Sequence, residues 1–309
     1  MPACVVGDQA VAAPWQGARA LHDVAPRGRQ SVQQDYGGPL PGQLAAKDQP
    51  AAVGQGPPVV LLHGLSATRR NVVQGSRALP RRGYRLIAYD ARGHGASSPA
   101  PSYGYPELIE DLEAVLDQLG LERVALVGSS MGAATAMAFA LRHPERAAAL
   151  VQITPAYNGA ARTGNVEEGA WEEMAGGLER GGVDAFVDVA QPAGADEGWK
   201  QVAREAIRQR MERHEHPLEV AKALRQIPPS TAWDGLEALQ RVEAPVLIVA
   251  SRDEMDRLHP LAIAQEYERL LPNAELVVEE EGKSPLAWQG ARLSNAIADF
   301  FERVGYAPS

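Results

Sequence analysis

The chain is short of cysteine: Cys4 is the one such residue in 309. No internal disulfide can form, and a reducing, cytoplasmic setting is the expectation. Cations are also in deficit, with 30 Lys and Arg against 39 Asp and Glu and a formal net charge of -9. A surface of that sign repels nucleic acid and anionic lipid, so neither is an expected partner. No apolar run approaches the roughly 18–20 residues that span a bilayer. The first residues, Met1 to Gly7, have no basic start and no sustained apolar stretch, so no signal peptide is expected. Zinc-type Cys/His spacing and solenoid-length repeats are missing as well, and no metal or other cofactor is expected.

What remains is ordinary soluble material, with 45% hydrophobic and 22% charged residues. Residues 1–28, rich in Ala, Gly, Pro and Gln, read as a loosely held arm. Two weak strand candidates lie between Arg29 and Asp48. Short, non-alternating apolar runs then follow at Val59–Leu62, Leu86–Tyr89, Val124–Val127, Ala149–Ile153, Val246–Val249 and Glu275–Val278. Such runs suit strands covered on both faces. Helical patterns separate them: Leu108 to Leu119, stopped by Gly120; Ala133 to Leu141; Leu261 to Leu271; and a closing helix over Ala291 to Val304. Alternating strands and helices imply a parallel sheet with right-handed crossovers. From about Pro155 to Pro229 the strand signals stop, and helical stretches run over Glu167–Glu179, Val183–Val189, Trp199–His214 and Leu218–Ile227. The expected organisation is an α/β core over 29–154 and 230–309, interrupted by a helical insertion over 155–229.

One motif carries chemistry. Gly128-Ser129-Ser130-Met131-Gly132 is a G-x-S-x-G placed directly between a buried strand and a helix. A nucleophile on so tight a turn has strained backbone angles, and glycines two before and two after relieve the crowding. The serine then sits at a helix N-terminus, where free N–H groups favour developing negative charge.

With this elbow, the sequence resembles the α/β-hydrolase superfamily, in the cap-bearing branch of esterases and C–C hydrolases. His63-Gly64-Leu65 stands where that family places its oxyanion loop, and Asp90-Ala91-Arg92-Gly93-His94-Gly95 resembles its next turn. The resemblance implies an α/β-hydrolase fold, with a mostly parallel sheet flanked by helices and 155–229 as its cap. It implies that Ser130 attacks a carbonyl and that the backbone N–H groups of Leu65 and Met131 bind the oxyanion, each worth about 3 kcal/mol. Asp253 takes the acid position after Val246–Val249, with Glu254 and Asp256 as rivals. His63 and Gly64 border the site, although His63 and His94 are also the family's loop-ordering residues.

The base position departs from the pattern. Where the family has Gly-His-Ser-Pro, this chain reads Gly282-Lys283-Ser284-Pro285, and no histidine follows His259. A lysine titrating near ~10.4 is an ammonium at neutrality. Three readings follow: Lys283 is desolvated and neutral; His259, just beyond Asp253, substitutes; or the site only binds and polarises a carbonyl. Trp171, Met174, Phe186 and Trp199 of the cap, with Leu286 and Trp288, offer apolar surface for a small organic substrate. The expected activity is hydrolysis of an ester, thioester or activated C–C bond. A non-hydrolytic cyclase, lyase or C–C bond-forming enzyme of secondary metabolism is the alternative, and an inactive binding protein the third. A monomer or homodimer is expected.

Overall fold

The computed structural model describes residues 50–73, 78–160, 166–190, 197–252, 258–280 and 291–308. The arm over 1–28 and both weak strand candidates lie outside them.

Each apolar run becomes a strand with its interior on both sides. The strands are β1 (Ala51–Val53), β2 (Pro58–Leu62), β3 (Arg85–Ala88), β4 (Val124–Ser129), β5 (Ala147–Ile153), β6 (Val246–Ala250) and β7 (Ala274–Val278). They form one sheet in the order β1-β3-β2-β4-β5-β6-β7. All neighbours are parallel except β1, which pairs antiparallel to β3 at the edge and was not expected from the sequence. Successive residues of β2 show why the runs do not alternate in polarity. Val60 and Leu62 pack on one face with Leu112 and Phe139, while Val59 and Leu61 pack on the other with Leu79 and Phe301.

Helices cover both faces. The first face takes α2 (Tyr105–Gln118), α3 (Met131–Arg142) and α7 (Leu261–Leu270). The second takes the one-turn α1 (Ala78–Arg81) and α8 (Ala291–Arg303). Gly120 follows α2 at φ +62, the left-handed conformation that ends a helix.

Between β5 and β6 come α4 (Val166–Val189), α5 (Glu197–Met211) and α6 (Pro217–Gln226). The two helices read at Glu167–Glu179 and Val183–Val189 are joined across a kink, where Gly182 has φ 64 and ψ -150. These helices bury a core of their own, built from Leu178, Phe186, Ile207, Met211, Val220 and Leu224. They are tied to the α/β core by polar contacts. Tyr103 Oη donates to Glu219, Tyr103 N to Gln226 Oε1 at 3.0 Å, and Glu215 N to Gly95 O at 2.8 Å. Among the described residues, no helix is long and apolar enough to cross a membrane.

The strand order locates the site. From β2 the chain winds outward to β3, and from β4 it winds the other way to β5. The crevice between the carboxyl ends of β2 and β4 is therefore the switch point where such sheets bind ligands.

Candidate active site

Three non-glycine residues among those described have positive φ: Ser66 (59), Ser130 (51) and Thr154 (43). All three follow strand ends facing the crevice, after β2, β4 and β5. Each such residue costs about 1–3 kcal/mol, and strain of this kind concentrates at functional sites. Ser130 N donates to Ile153 O at 3.0 Å, and Ser130 O accepts from Ala134 N at 3.0 Å, so the elbow is held from both sides.

The flanking glycines act as the motif requires. A Cβ on Gly128 would lie 2.2 Å from Gly132 O, and one on Gly132 would lie 2.2 Å from Leu62 O. Neither position admits a side chain unless backbone moves. Gly64 is packed against the elbow too, since a Cβ there would stand 3.5 Å from Ser130 Cβ. This brings the loop after β2 beside the serine. Met131 is the first residue of α3, so its N–H has no intrahelical acceptor. The Leu65 N–H likewise donates to no acceptor among the described residues. Both free donors flank Ser130 in one cleft.

His259 reaches the serine. Its Nε2 lies 2.8 Å from Ser130 Oγ. It sits one residue before Pro260, the N-cap of α7, in the loop after β6. The sequence left open whether it is a plain loop residue or a substitute base. It is a loop residue by position and the serine's partner by reach. Asp253, Lys283, Leu286 and Trp288 lie outside the described residues, as do the rivals Glu254 and Asp256.

The cleft at Ser130 encloses about 430 Å³, part of it open to solvent. It is lined by Leu65, Tyr105, Met131, Ala156, Tyr157, Trp171, Ile227 and Pro228 beside the serine. Trp171 is the cap residue that the sequence placed here and the structure brings in. Met174 does not line it and packs against the cap's own core, as Phe186 does. Trp199 lies in α5, and its side chain is outside the described residues. Tyr105, Ala156, Tyr157, Ile227 and Pro228 were missed. Ala156 and Tyr157 follow β5 directly, and the carboxyl end of a parallel strand was the one available signal for them. Tyr157 is fixed by its own bonds, donating from Oη to Trp233 O at 2.6 Å and accepting from Ala232 N at 3.2 Å.

His63 corrects an expectation. It was placed among the substrate-binding residues, but it is turned inward and 2% exposed. Its Nε2 accepts from Ala91 N at 2.8 Å, so the proton sits on Nδ1 and is donated to Gly64 O at 2.8 Å. Both nitrogens are used in ordering loops, and none is left for a ligand. Burial, helped by neighbouring His94, pushes its pKa down to about 3. Its ring stands 5.2 Å from His94, and His94 stands 5.6 Å from His214 in the connection between α5 and α6. Burial lowers His94 too and brings His214 to about 4. Three neutral imidazoles therefore join β2, the turn after β3 and the cap. That turn is ordered by Asp90. Its carboxylate accepts from Arg69 N at 2.7 Å and Ala96 N at 3.2 Å, while Arg92 makes two 2.7 Å bonds to Asp111. The resemblance motif Asp90 to Gly95 is thus structural.

Comparison with known proteins agrees with this geometry. The family model described as alpha/beta hydrolase fold matches residues 57–291. The sn-1-specific diacylglycerol lipase of Mus musculus is 41% identical over 98 residues, which cover 31% of this chain and 32% of that protein. The chain thus matches about a third of the lipase's length. Among solved structures, a thermophilic esterase from Thermogutta terrifontis superposes with TM-score 0.69 at 25% identity, over 82% of this chain and 93% of that one. The enol-lactonase of Burkholderia xenovorans LB400 shares the fold with TM-score 0.64 at 21% identity, over 84% and 95% of the two chains. With an elbow serine, two free N–H donors beside it and a model match over most of its length, the chain belongs to the alpha/beta hydrolase family.

Proposed function

We propose that this protein is a serine hydrolase of small carboxylic esters, with Ser130 as nucleophile and His259 as its base. The observation that carries the reading is the 2.8 Å contact between His259 Nε2 and Ser130 Oγ. That is hydrogen-bond reach for taking the hydroxyl proton as the serine attacks. The oxyanion then forms between the N–H groups of Leu65 and Met131. His259 returns the proton to the departing alkoxide, and water hydrolyses the acyl-enzyme by the same exchange in reverse. Asp253, three residues past β6 in sequence, is the carboxylate assigned to orient His259. On this reading the family's missing histidine is supplied from the loop before α7, and Lys283 takes no part in proton transfer.

The substrate follows from the cleft. Its described walls are mostly apolar, with Leu65, Met131, Tyr157, Trp171 and Ile227 beside the serine, which suits the apolar acyl part of an ester. The likeness to a lipase and to an esterase supports the same reaction class.

The test is hydrolysis of p-nitrophenyl butyrate. His259→Ala should lower kcat/KM by about 10²–10⁴-fold, the usual contribution of a general base. Lys283→Ala should stay within a few-fold of the parent, and Ser130→Ala should abolish labelling by a fluorophosphonate. An inactive Lys283→Ala beside an active His259→Ala would overturn the assignment.

A further inference from the structure

The cap does more than wall the cleft. His214 stands three residues past the end of α5, in the connection to α6, and both of its ring nitrogens bond to loops of the α/β core. Gly95 N donates to Nδ1 at 2.8 Å, which leaves the proton on Nε2, and Nε2 donates to Ser66 O at 3.3 Å. Ser66 immediately follows Leu65, whose N–H is one half of the oxyanion hole in the hydrolase reading.

Peptide planarity carries this bond to the hole. The Ser66 carbonyl and the Ala67 N–H belong to one planar trans unit, so they point in opposite directions. His214 holds the carbonyl end. At the other end Ala67 N donates to Gly64 O at 3.1 Å. Gly64 O in turn belongs to the same planar unit as Leu65 N–H. Gly64 O also accepts from His63 Nδ1 at 2.8 Å. With that carbonyl drawn to one side by two donors, the Leu65 N–H is aimed to the other. Ser66 is held at φ 59, a conformation that a serine does not keep without restraint.

We propose that His214 is a positioning residue for the oxyanion hole, orienting the Leu65 N–H through the Ser66–Ala67 and Gly64–Leu65 peptides. The cap and the oxyanion loop are thereby one mechanical unit. Displacing the connection between α5 and α6 that carries His214 would turn an oxyanion donor.

The inference rests on the hydrolase reading, and three substitutions separate it from that reading and from simple cap attachment. His214→Phe removes both bonds and keeps a ring. In His214→Asn the side-chain oxygen can replace Nδ1 as acceptor for Gly95 N–H, but nothing reaches Ser66 O. In His214→Gln the amide nitrogen can take the place of Nε2 and donate to Ser66 O. With p-nitrophenyl butyrate, kcat should fall about 10–100-fold in the Phe and Asn variants with KM within about threefold, because a displaced oxyanion donor acts in the transition state. The Gln variant should recover most of the loss.

Amide hydrogen exchange gives a readout that needs no turnover. Protection of Ala67 N–H should drop in the Phe and Asn variants and persist in the Gln variant. Asn behaving like the parent in both measurements, or Gln behaving like Phe in both, would overturn the proposal. A parent protein that turns over no ester would sink the hydrolase reading, and the exchange pattern would still decide the role of His214.

Discussion

Replacing Gly132 by alanine tests whether the elbow and the oxyanion loop are as tightly joined as the geometry requires. The added Cβ would lie 2.2 Å from Leu62 O, 2.5 Å from Leu62 C and 2.8 Å from His63 O. All three are backbone atoms, so no side chain can swing aside. Restoring ordinary contact at about 3.4–3.5 Å means separating the start of α3 from the end of β2 by about 1.2 Å. β2 is paired there with β4, Leu62 opposite Gly128, so the shift must open the ladder or tilt the helix. Overpacking of this kind costs about 1–3 kcal/mol, equivalent to a Tm lower by roughly 2–6 °C in a domain of this size. The functional loss should be larger. Leu65 lies three residues past Leu62 and Met131 one before Gly132, so the two N–H groups proposed as oxyanion donors move apart by about the same 1 Å. A misplacement of that size costs about 100-fold in rate. The assay is steady-state hydrolysis of p-nitrophenyl butyrate beside thermal unfolding, with Gly120→Ala as control. Gly120 lies outside the site at φ +62, with nothing within 4 Å of an added Cβ, so its replacement should lose some stability through backbone strain and no activity. A folded Gly132→Ala protein with kcat within about threefold of the parent would refute the coupling of elbow and loop.

Other expectations follow from the same contacts. Burial keeps His63 and His214 neutral, with pKa values of about 3 and about 4 against 6.5 when unfolded. Below pH 6.5 the unfolded chain therefore binds protons that the native state does not. Their contribution is intact above that pH and is lost as the pH falls toward 4, with His214 alone worth about 3 kcal/mol at the lower end. Urea unfolding at stepped pH should show this, and His214→Gln should flatten the decline between pH 6.5 and 4; an unchanged slope would contradict it. Arg225 of α6 bonds both Glu172 and Glu179 of α4 at the surface. Arg225→Ala should lower Tm at low salt, by an amount that shrinks as salt rises. Trp171→Ala should widen the cleft and move the preferred p-nitrophenyl ester to a longer acyl chain, and an unaltered chain-length profile would remove Trp171 from the acyl pocket.

Much of this architecture was legible because it rests on local rules. A strand covered on both faces is a short apolar run wherever it sits, and the six runs singled out became six of the seven strands. The exception, β1, has three exposed residues at an edge, where burial leaves no apolar signature. The elbow was legible for a similar reason: a tight turn with a helix packed on it admits glycine and little else at positions 128 and 132. Met174 and His63 show the opposite case. An apolar residue on a helix can serve a cleft or its own core, and a histidine after a strand can face a ligand or a carbonyl. Composition does not distinguish these outcomes.

The sequence by itself determined the family-type elbow and most of the order of strands and helices, because each depends on residues adjacent in the chain. Tertiary structure alone decided which histidine meets Ser130 Oγ and which one bonds to Ser66 O. His259 is 129 positions from the serine, and His214 is 148 from Ser66. A hydrogen bond demands placement within a few tenths of an ångström. Over such separations that placement is the summed result of sheet order, crossover length and cap docking, which no local pattern encodes.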